Sequence, residues 1–597
     1  MTTLAPFDPT PHEGQLVAAV EALRAHSGTV DGRALGQILR RHAKPDGVFS
    51  KSELIRGFRL LKARYGWSDE QEFVRRLRMK PVRTLSGVAP VTVLTKPFPC
   101  PGRCIFCPSD VRMPKSYLAR EPGAQRAAQH AFDPYAQTLG RLLALHHTGH
   151  AVDKVELIIL GGTWSFYPEA YKLWFVRRCF EAMNDFAGAS AASDRGEPVA
   201  LGDGPRPCVA AEVRVDGCST TGGDYNRLVS RPARDSERPG RLEAQQRATW
   251  GELEAVHARN EGAAARCVGL VVETRPDHLD QAEVLRIRRL GATKVQIGYQ
   301  SLDDAVLEAN HRGHGVAATR CAMRLLREAG FKIHAHWMPN LLGSDPARDR
   351  EDFARLWDDA DFRPDELKIY PCSLIESAEL MRFHQDGRWQ PYATETLVEL
   401  LADCLVSVPP YCRITRMIRD IPGDEIIVGN KVTNLRQVVE QTVAARGAVS
   451  RDIRAREVRG LSIEAADLHL EVVTYDTAIG EERFLQWLTP GGALCGFLRL
   501  SLPRISASLD EIAGSAMIRE VHVYGRLARL GSTRTTGSLR AQHRGLGRRL
   551  IEAASEMAAA AGFTDLAVIA AVGTRDYYRG LDFRDGALYQ HRALAMP

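Results

Sequence analysis

Six short apolar runs rich in β-branched residues, at 88–95, 155–160, 268–272, 294–298, 332–336 and 367–370, recur along the chain with helical patterns between most of them. Strands that alternate with helices cannot pair as hairpins, so the repeats predict a parallel sheet, curled into a partial (β/α) barrel. In such a sheet the carboxyl ends of the strands face the active site. That places the 100–107 loop, Gly161 and Gly162, Glu273 and Arg275, Gln300, His336 and Tyr370 around one opening.

The first of these positions carries Cys100, Cys104 and Cys107 in a CxxxCxxC spacing, directly after the first run. A structural zinc site needs a fourth nearby ligand, and no Cys or His follows before His130. Three thiolates suit a cubane iron-sulfur cluster whose fourth iron is left open. The alternative is three reduced cysteines crowded in a loop. The Gly161-Gly162 pair fits close approach of a ligand to the backbone, or a tight turn without one.

With 597 residues the chain has length for three or four domains. Its formal charge of +6 is small for that length, so only local excess is informative. Between Lys51 and Ser86, ten Lys/Arg stand against four Asp/Glu. Leu16, Val20 and Leu23, then Leu35, Ile38 and Leu39, then Leu54, Phe58 and Leu61 recur at helical spacing, giving basic amphipathic helices. Such a face neutralises phosphates, or is an ordinary solvated surface. No apolar run reaches membrane-span length and the start carries no leader pattern, so a cytoplasmic protein is expected.

Residues 187–262 are rich in Gly, Ala, Arg, Asp and Pro without sustained periodicity. The expectation is a mostly flexible insertion, largely disordered over 187–245, with Cys208 and Cys218 as incidental thiols. The segment 396–460 is expected to be a linker. It carries Arg413, Arg416 and Arg419 at every third position, a stripe on a helix or a comb on an irregular segment, suited to phosphates or to an intramolecular clamp. Cys404 and Cys412 are too few for a closed metal site, so no zinc is expected.

Beyond residue 461 strands dominate, followed by Gln542-His-Arg-Gly-Leu-Gly547 and a helical pattern from Arg548 to Ala561. Backbone N–H groups at a glycine-rich helix start cradle a pyrophosphate. This order, closing on Tyr577 and Tyr578, resembles the GNAT acetyltransferase fold. The resemblance implies acetyl-CoA lying along Glu520, Val521, His522 and Val523, its pyrophosphate over Arg544, Gly545, Leu546, Gly547 and Arg548. Tyr578, with Tyr577 beside it, would then lie near the thioester or simply pack in a core.

The cysteine spacing after a first strand also resembles the radical S-adenosylmethionine (SAM) enzymes. Ser116-Tyr117 with Glu121-Pro122, Asp133-Pro134-Tyr135, the 154–163 stretch ending in Gly-Gly-Thr, the 267–277 stretch ending in Glu-Thr-Arg-Pro-Asp, and Asn310-His-Arg-Gly-His314 follow one pattern in order. Together they resemble the catalytic subunit of Elongator and its single-chain prokaryotic relatives. That resemblance implies an α/β chain: a basic helical tRNA-binding region over 1–82, a radical SAM barrel over 83–395, the linker, and a GNAT domain over 461–597. It implies a 4Fe-4S cluster on the three cysteines, SAM at Gly161 and Gly162 with Glu273 and Arg275 at neighbouring strand ends, and an acetyl-CoA contact at Lys154. tRNA would be held by the N-terminal helices and by Arg413, Arg416 and Arg419. The implied reaction adds an acetyl-derived radical to the wobble uridine and hydrolyses the thioester to carboxymethyluridine, by a chain acting alone or as a homodimer without a membrane. The rivals are a protein or histone lysine acetyltransferase with a structural cluster, and a catalytically inert tRNA-binding scaffold.

Overall fold

Ser50 accepts a hydrogen bond from the Glu53 N–H and Glu53 accepts one from the Ser50 N–H, a capping box that fixes where a helix begins. Such local signals organise the four N-terminal helices α1 (Glu13–Ala25), α2 (Gly32–Arg41), α3 (Lys51–Tyr65) and α4 (Glu70–Leu77). Their apolar faces enclose a core of their own. It gathers Leu16, Val20, Leu35, Leu54 and Phe58, with Phe58 stacked between Trp67 and Phe73. The molecule is known from a computed structural model, which describes all residues except 1, 2, 5, 29, 81–83, 85, 203–224, 228, 230–245, 459–466, 525–544 and 596–597.

The expected parallel sheet is present, and it has seven strands rather than six. They are β1 (Ala89–Leu94), β2 (Lys154–Leu160), β3 (Arg266–Thr274), β4 (Lys294–Gln300), β5 (Lys332–Trp337), β6 (Glu366–Ile369) and β7 (Arg413–Arg416). They lie side by side in chain order and every pairing is parallel. Burial on both faces explains the near-continuous apolar runs, since helices cover the outside and a cavity fills the inside.

The seventh strand corrects one expectation. Arg413 and Arg416 lie on neither a helix stripe nor an irregular comb: Arg413 pairs in register with Glu366 and Ile414 with Leu367, so the segment expected to be a linker completes the sheet. Four residues alternating Arg-Ile-Thr-Arg are too short and too polar to stand out as a strand, and Ile414 alone is fully buried.

The insertion is corrected too. Helix α5 (Glu169–Asp194) runs well past residue 187, burying Tyr171, Phe175, Phe180 and Phe186. Helix α6 (Trp250–Glu261) starts on a second capping box, Thr249 with Glu252. Its side chain Asn260 donates to Ala265 O and accepts from Cys267 N, stitching the helix to β3. Cys208, Cys218 and most of the residues between these helices lie outside the described residues.

The C-terminal sheet has the order β8 (His469–Thr477), β9 (Gly480–Leu488), β10 (Leu494–Pro503), β11 (Ala516–Val523), β12 (Asp565–Val568), then β14 (Gln590–Ala593) and β13 (Arg584–Asp585) at its far edge. All neighbours are antiparallel except β11 and β12. Helix α7 (Leu546–Ala560) packs its Leu546, Leu550, Ile551 and Ala554 side on this sheet. The mixed α/β fold class, a curled parallel half-barrel joined to a smaller α/β domain, is as expected. Among the described residues no helix is long and apolar enough to cross a membrane.

Candidate functional site

A cavity of about 440 Å³ runs inside the curl of the parallel sheet. Cys100, Cys104 and Cys107 line its upper end, and Glu156, Lys294, Glu366 and Arg413 line the end where the strands begin. Six residue steps along β4 span roughly 20 Å, so the cavity crosses the full depth of the half-barrel.

The cysteine loop is held by its neighbours. Asn226, from the insertion, accepts from the Cys100 N–H at 2.9 Å and donates to the Cys100 carbonyl at 2.7 Å. Tyr225 beside it is fully buried and donates to Met113 O at 2.9 Å. Cys100 Sγ lies 3.8 Å from Thr163 Oγ1. Cys104 receives guanidinium N–H groups from Arg312 at 3.4 Å and Arg275 at 3.8 Å. A hydrogen bond with Cys107, and after it the two guanidiniums, hold the Cys104 thiol well below its usual range, while the same pairing pushes Cys107 up. A loop of three thiols, one of them biased to the thiolate, fits a 4Fe-4S cluster. Among the described residues no three His, Cys, Asp or Glu side chains converge on one point. A cubane does not ask for that, since its three thiolates bind three different irons.

Gly161 has φ of +121°, and a Cβ there would meet Thr95 Oγ1 at 2.2 Å, so only glycine fits the turn. Gly162 follows it on the cavity wall. Glu273 accepts a hydrogen bond from Tyr117 Oη at 2.9 Å and lies 3.6 Å from His336 Nδ1. His336 Nε2 is 3.1 Å from Gln296 Oε1, which also accepts from Lys368 Nζ. Burial lowers Lys368 to about 8, and it pushes His336 well below its usual range. Midway down the cavity these groups form a polar belt in which burial disfavours the charged forms of both His336 and Lys368.

The other expected residues fall at the opposite end. Lys154 opens β2, pairs in register with Arg266, and is lowered from its usual range by burial. A Cβ on Gly573 would meet Arg266 Cβ at 2.6 Å, so the C-terminal domain packs directly against this edge. Glu520 is tied to Lys332 at 2.5 Å and to Arg499 at 2.9 Å. Strand β11 pairs with β12 only over Ala516 to Ile518. Past that point the two diverge, so Glu520, Val521, His522 and Val523 keep β10 as neighbour and leave one backbone edge open between them. His522 is lowered to about 4 by burial and its Nε2 has no protein partner. Gly545, in the left-handed region at φ +103°, starts α7 without a side-chain cap, and Leu546, Gly547 and Arg548 form its first turn. Uncapped N–H groups there are an anion seat. Arg544 lies outside the described residues. Tyr578 is buried against Phe583 and Tyr577 is half-exposed with its hydroxyl over Gly547.

Arg413, Arg416 and Arg419 all touch the cavity. Arg413 binds Glu457 and donates to Tyr524 Oη at 2.9 Å. Arg419 binds Glu121 at 2.7 Å and the Ser116 carbonyl. Arg416 is 49% exposed, pairs with Asp420 four residues away, and also interacts with the Tyr370 hydroxyl. The clamp reading therefore suits Arg413 and Arg419, and Arg416 is the most exposed of the three.

Sequence reasoning missed Asn226, Arg312, His336 as a partner of Glu273, and Lys368. The motif at 310–314 contains Arg312, so its signal was present without a role. Lys368 was hidden inside an apolar run, and Asn226 sits in a polar stretch with no periodicity.

The family model for the Radical_SAM C-terminal domain matches residues 364–445, which includes β6 and β7. The chain is 36% identical over 521 residues to the tRNA uridine(34) acetyltransferase of Dehalococcoides mccartyi, covering 86% of this chain and 99% of that one. It is 30% identical over 578 residues to Elongator complex protein 3 of Bos taurus, covering 94% and 93%. The solved archaeal Methanocaldococcus infernus Elp3 with an N-terminal deletion superposes with a TM-score of 0.65 at 29% identity, covering 85% of this chain and 99% of that one. The chain belongs to the family of the tRNA uridine(34) acetyltransferases and Elongator complex protein 3.

Proposed function

We propose that this chain is a tRNA-modifying enzyme that forms 5-carboxymethyluridine at the wobble uridine, consuming SAM and acetyl-CoA. The observation that carries the reading is a cavity with the cysteine loop at its mouth and, at its far end, Glu366, which shares Lys332 with Glu520 of β11. On this reading the radical would form at the mouth and the acetyl group would enter from the far end. The names of its relatives support tRNA uridine as substrate class and an enzyme of combined radical SAM and acetyltransferase type.

Cys100, Cys104 and Cys107 would hold the cluster, and Gly161 and Gly162 would let the amino acid part of SAM lie against the backbone. When bound, the cluster supplies the electron that cleaves SAM to a carbon radical able to take a hydrogen from an unactivated methyl group. The protein's own contribution is placement. The open edge of Glu520 to Val523 and the turn at Gly545 would bind acetyl-CoA, and Lys154 would meet it at the sheet edge. An unpaired anticodon base can be splayed into the cavity, which a base within a duplex cannot enter. The belt of Lys368, Gln296 and His336 offers hydrogen bonds to carbonyl oxygens and a site to hold or release a proton.

The test is anaerobic incubation of reconstituted protein with tRNA, SAM, methyl-deuterated acetyl-CoA and reductant, followed by mass spectrometry of the nucleosides. Deuterium is expected in deoxyadenosine and in the uridine side chain. Label on a peptide lysine and none in the nucleoside would establish the protein acetyltransferase instead.

A further inference from the structure

Two buried arginines converge on a single member of the cysteine triplet. Arg312 Nη1 donates to Cys104 Sγ at 3.4 Å and Arg275 Nη1 at 3.8 Å, and the residues carrying all three groups are 6% to 7% exposed. Among the described residues the hydrogen-bond partner of the Cys100 sulfur is the Thr163 hydroxyl at 3.8 Å, with no guanidinium donor.

Both guanidiniums are fixed in place. Asp277 holds Arg275 by a fork, Nε to Oδ1 at 2.9 Å and Nη2 to Oδ2 at 2.8 Å, and Arg275 Nη2 also donates to Arg312 O at 2.7 Å. Arg312 Nη2 donates to Gly298 O at 2.8 Å. Space has been left for each. A Cβ at Gly102, inside the cysteine loop, would meet Arg275 Nη1 at 2.3 Å, and a Cβ at Gly298 would meet Arg312 Nη2 at 2.8 Å. The loop and the fourth strand are thus cut back where the arginines pass, which a purely structural ion pair at the surface would not demand.

We infer that Arg275 and Arg312 are tuning residues that set the reduction potential of the cluster through Cys104. The inference rests on the reading that the triplet holds a cluster. Reduction adds one negative charge to a group already ringed by thiolates, beside a Cys104 that is 7% exposed. Two fixed cations and their N–H donors at one sulfur stabilise that added charge, so they raise the potential. Neutralising either lowers it, and a lysine that keeps the charge restores part of the effect while losing the fork.

The experiment is an EPR-monitored redox titration of anaerobically reconstituted full-length protein without SAM, with iron counted in each sample. Arg312→Gln and Arg275→Gln are expected to shift the midpoint to lower potential at unchanged iron content, and Arg312→Lys to lie between the glutamine variant and the unsubstituted protein. Unchanged midpoints in both glutamine variants, with full iron, would overturn the inference. Should the glutamine variants lose iron, Arg312→Lys decides. A lysine variant with a midpoint below that of the unsubstituted protein supports tuning, and one with an unchanged midpoint, or one that also loses its iron, overturns it. An unsubstituted protein that binds no iron overturns the cluster reading itself, a failure separate from that of an unmoved potential.

Discussion

Asn226 grips both sides of the Cys100 peptide, and its contribution follows from counting the hydrogen bonds it makes there. Each is worth about 1 kcal/mol net, so Asn226→Ala should leave the fold intact and loosen only the first cysteine of the loop. The expected outcome is faster loss of iron from reconstituted protein in an EDTA chase. An unchanged rate would show that the loop is held without the clamp. A second residue makes a pH prediction. His591 hydrogen-bonds Asp565 at 2.8 Å and lies 3.6 Å from Glu511, and the two carboxylates raise it from its ordinary 6.5 to about 9. A raised cation contributes fully below pH 6.5 and loses its contribution as the pH climbs through 9. The melting temperature should therefore fall between those values, and His591→Gln should flatten that fall. A melting profile identical in the two proteins would remove His591 from the account.

The element that most changed on folding is β7. Its arginines looked like a phosphate comb because their spacing in the sequence is all that a comb needs. In the structure a register shift between Ile414 and Arg416 sets Arg416 opposite Lys368, on the same cavity-lining face as Arg413, but Arg413 is tied to Glu457 and Tyr524 while Arg416 keeps 49% of its side chain exposed. Arg416→Ala should weaken tRNA binding and reduce its salt slope by about one counterion. Arg413→Ala and Arg419→Ala should instead lower stability, because each strands a carboxylate with little exposure, Glu457 or Glu121. Filter binding over a salt series, beside thermal melts, separates the two effects. Equal salt slopes for all three variants would return the segment to the comb reading. The six strands with apolar runs were legible because burial on both faces leaves a strong signal. Three cysteines in eight residues were legible because the spacing is local. Strand β7 and Asn226 were not, since each is specified by partners far along the chain, and helix α6 was passed over although its Thr249–Glu252 capping box is local.

At the scale of the molecule, the two sheets are joined through charge rather than through an apolar seam alone. Five carboxylates, Asp365, Glu482, Glu520, Glu366 and Glu156, face five cations, Arg519, Arg499, Arg327, Lys332 and Lys294. The balance of charge is what lets such a ladder be buried, because an unpaired ion there would cost several kcal/mol. Asp365 is its centre. It binds Arg519 at 2.7 Å and accepts from Ile333 N at 2.8 Å, while its own carbonyl accepts from Arg413 N at 3.1 Å. One residue thus ties β5, β7 and the C-terminal sheet together. The arginines hold its carboxyl well below the usual carboxylate range, against the opposing effect of burial. A depressed carboxylate contributes stability above its unfolded value near 4, and that contribution fades only as pH falls through the lower folded value. The joint should therefore survive mild acid. Asp365→Ala removes the shared partner and leaves Arg519 and Arg499 short of charge, so it should cost about 3–5 kcal/mol. Because the loss falls on the joint and not on either core, calorimetry should resolve one transition into two, with the half-barrel and the C-terminal sheet melting apart. A single transition at an unchanged temperature would mean that packing alone holds the sheets together, and that β11 keeps its place near the far end of the cavity without the ladder.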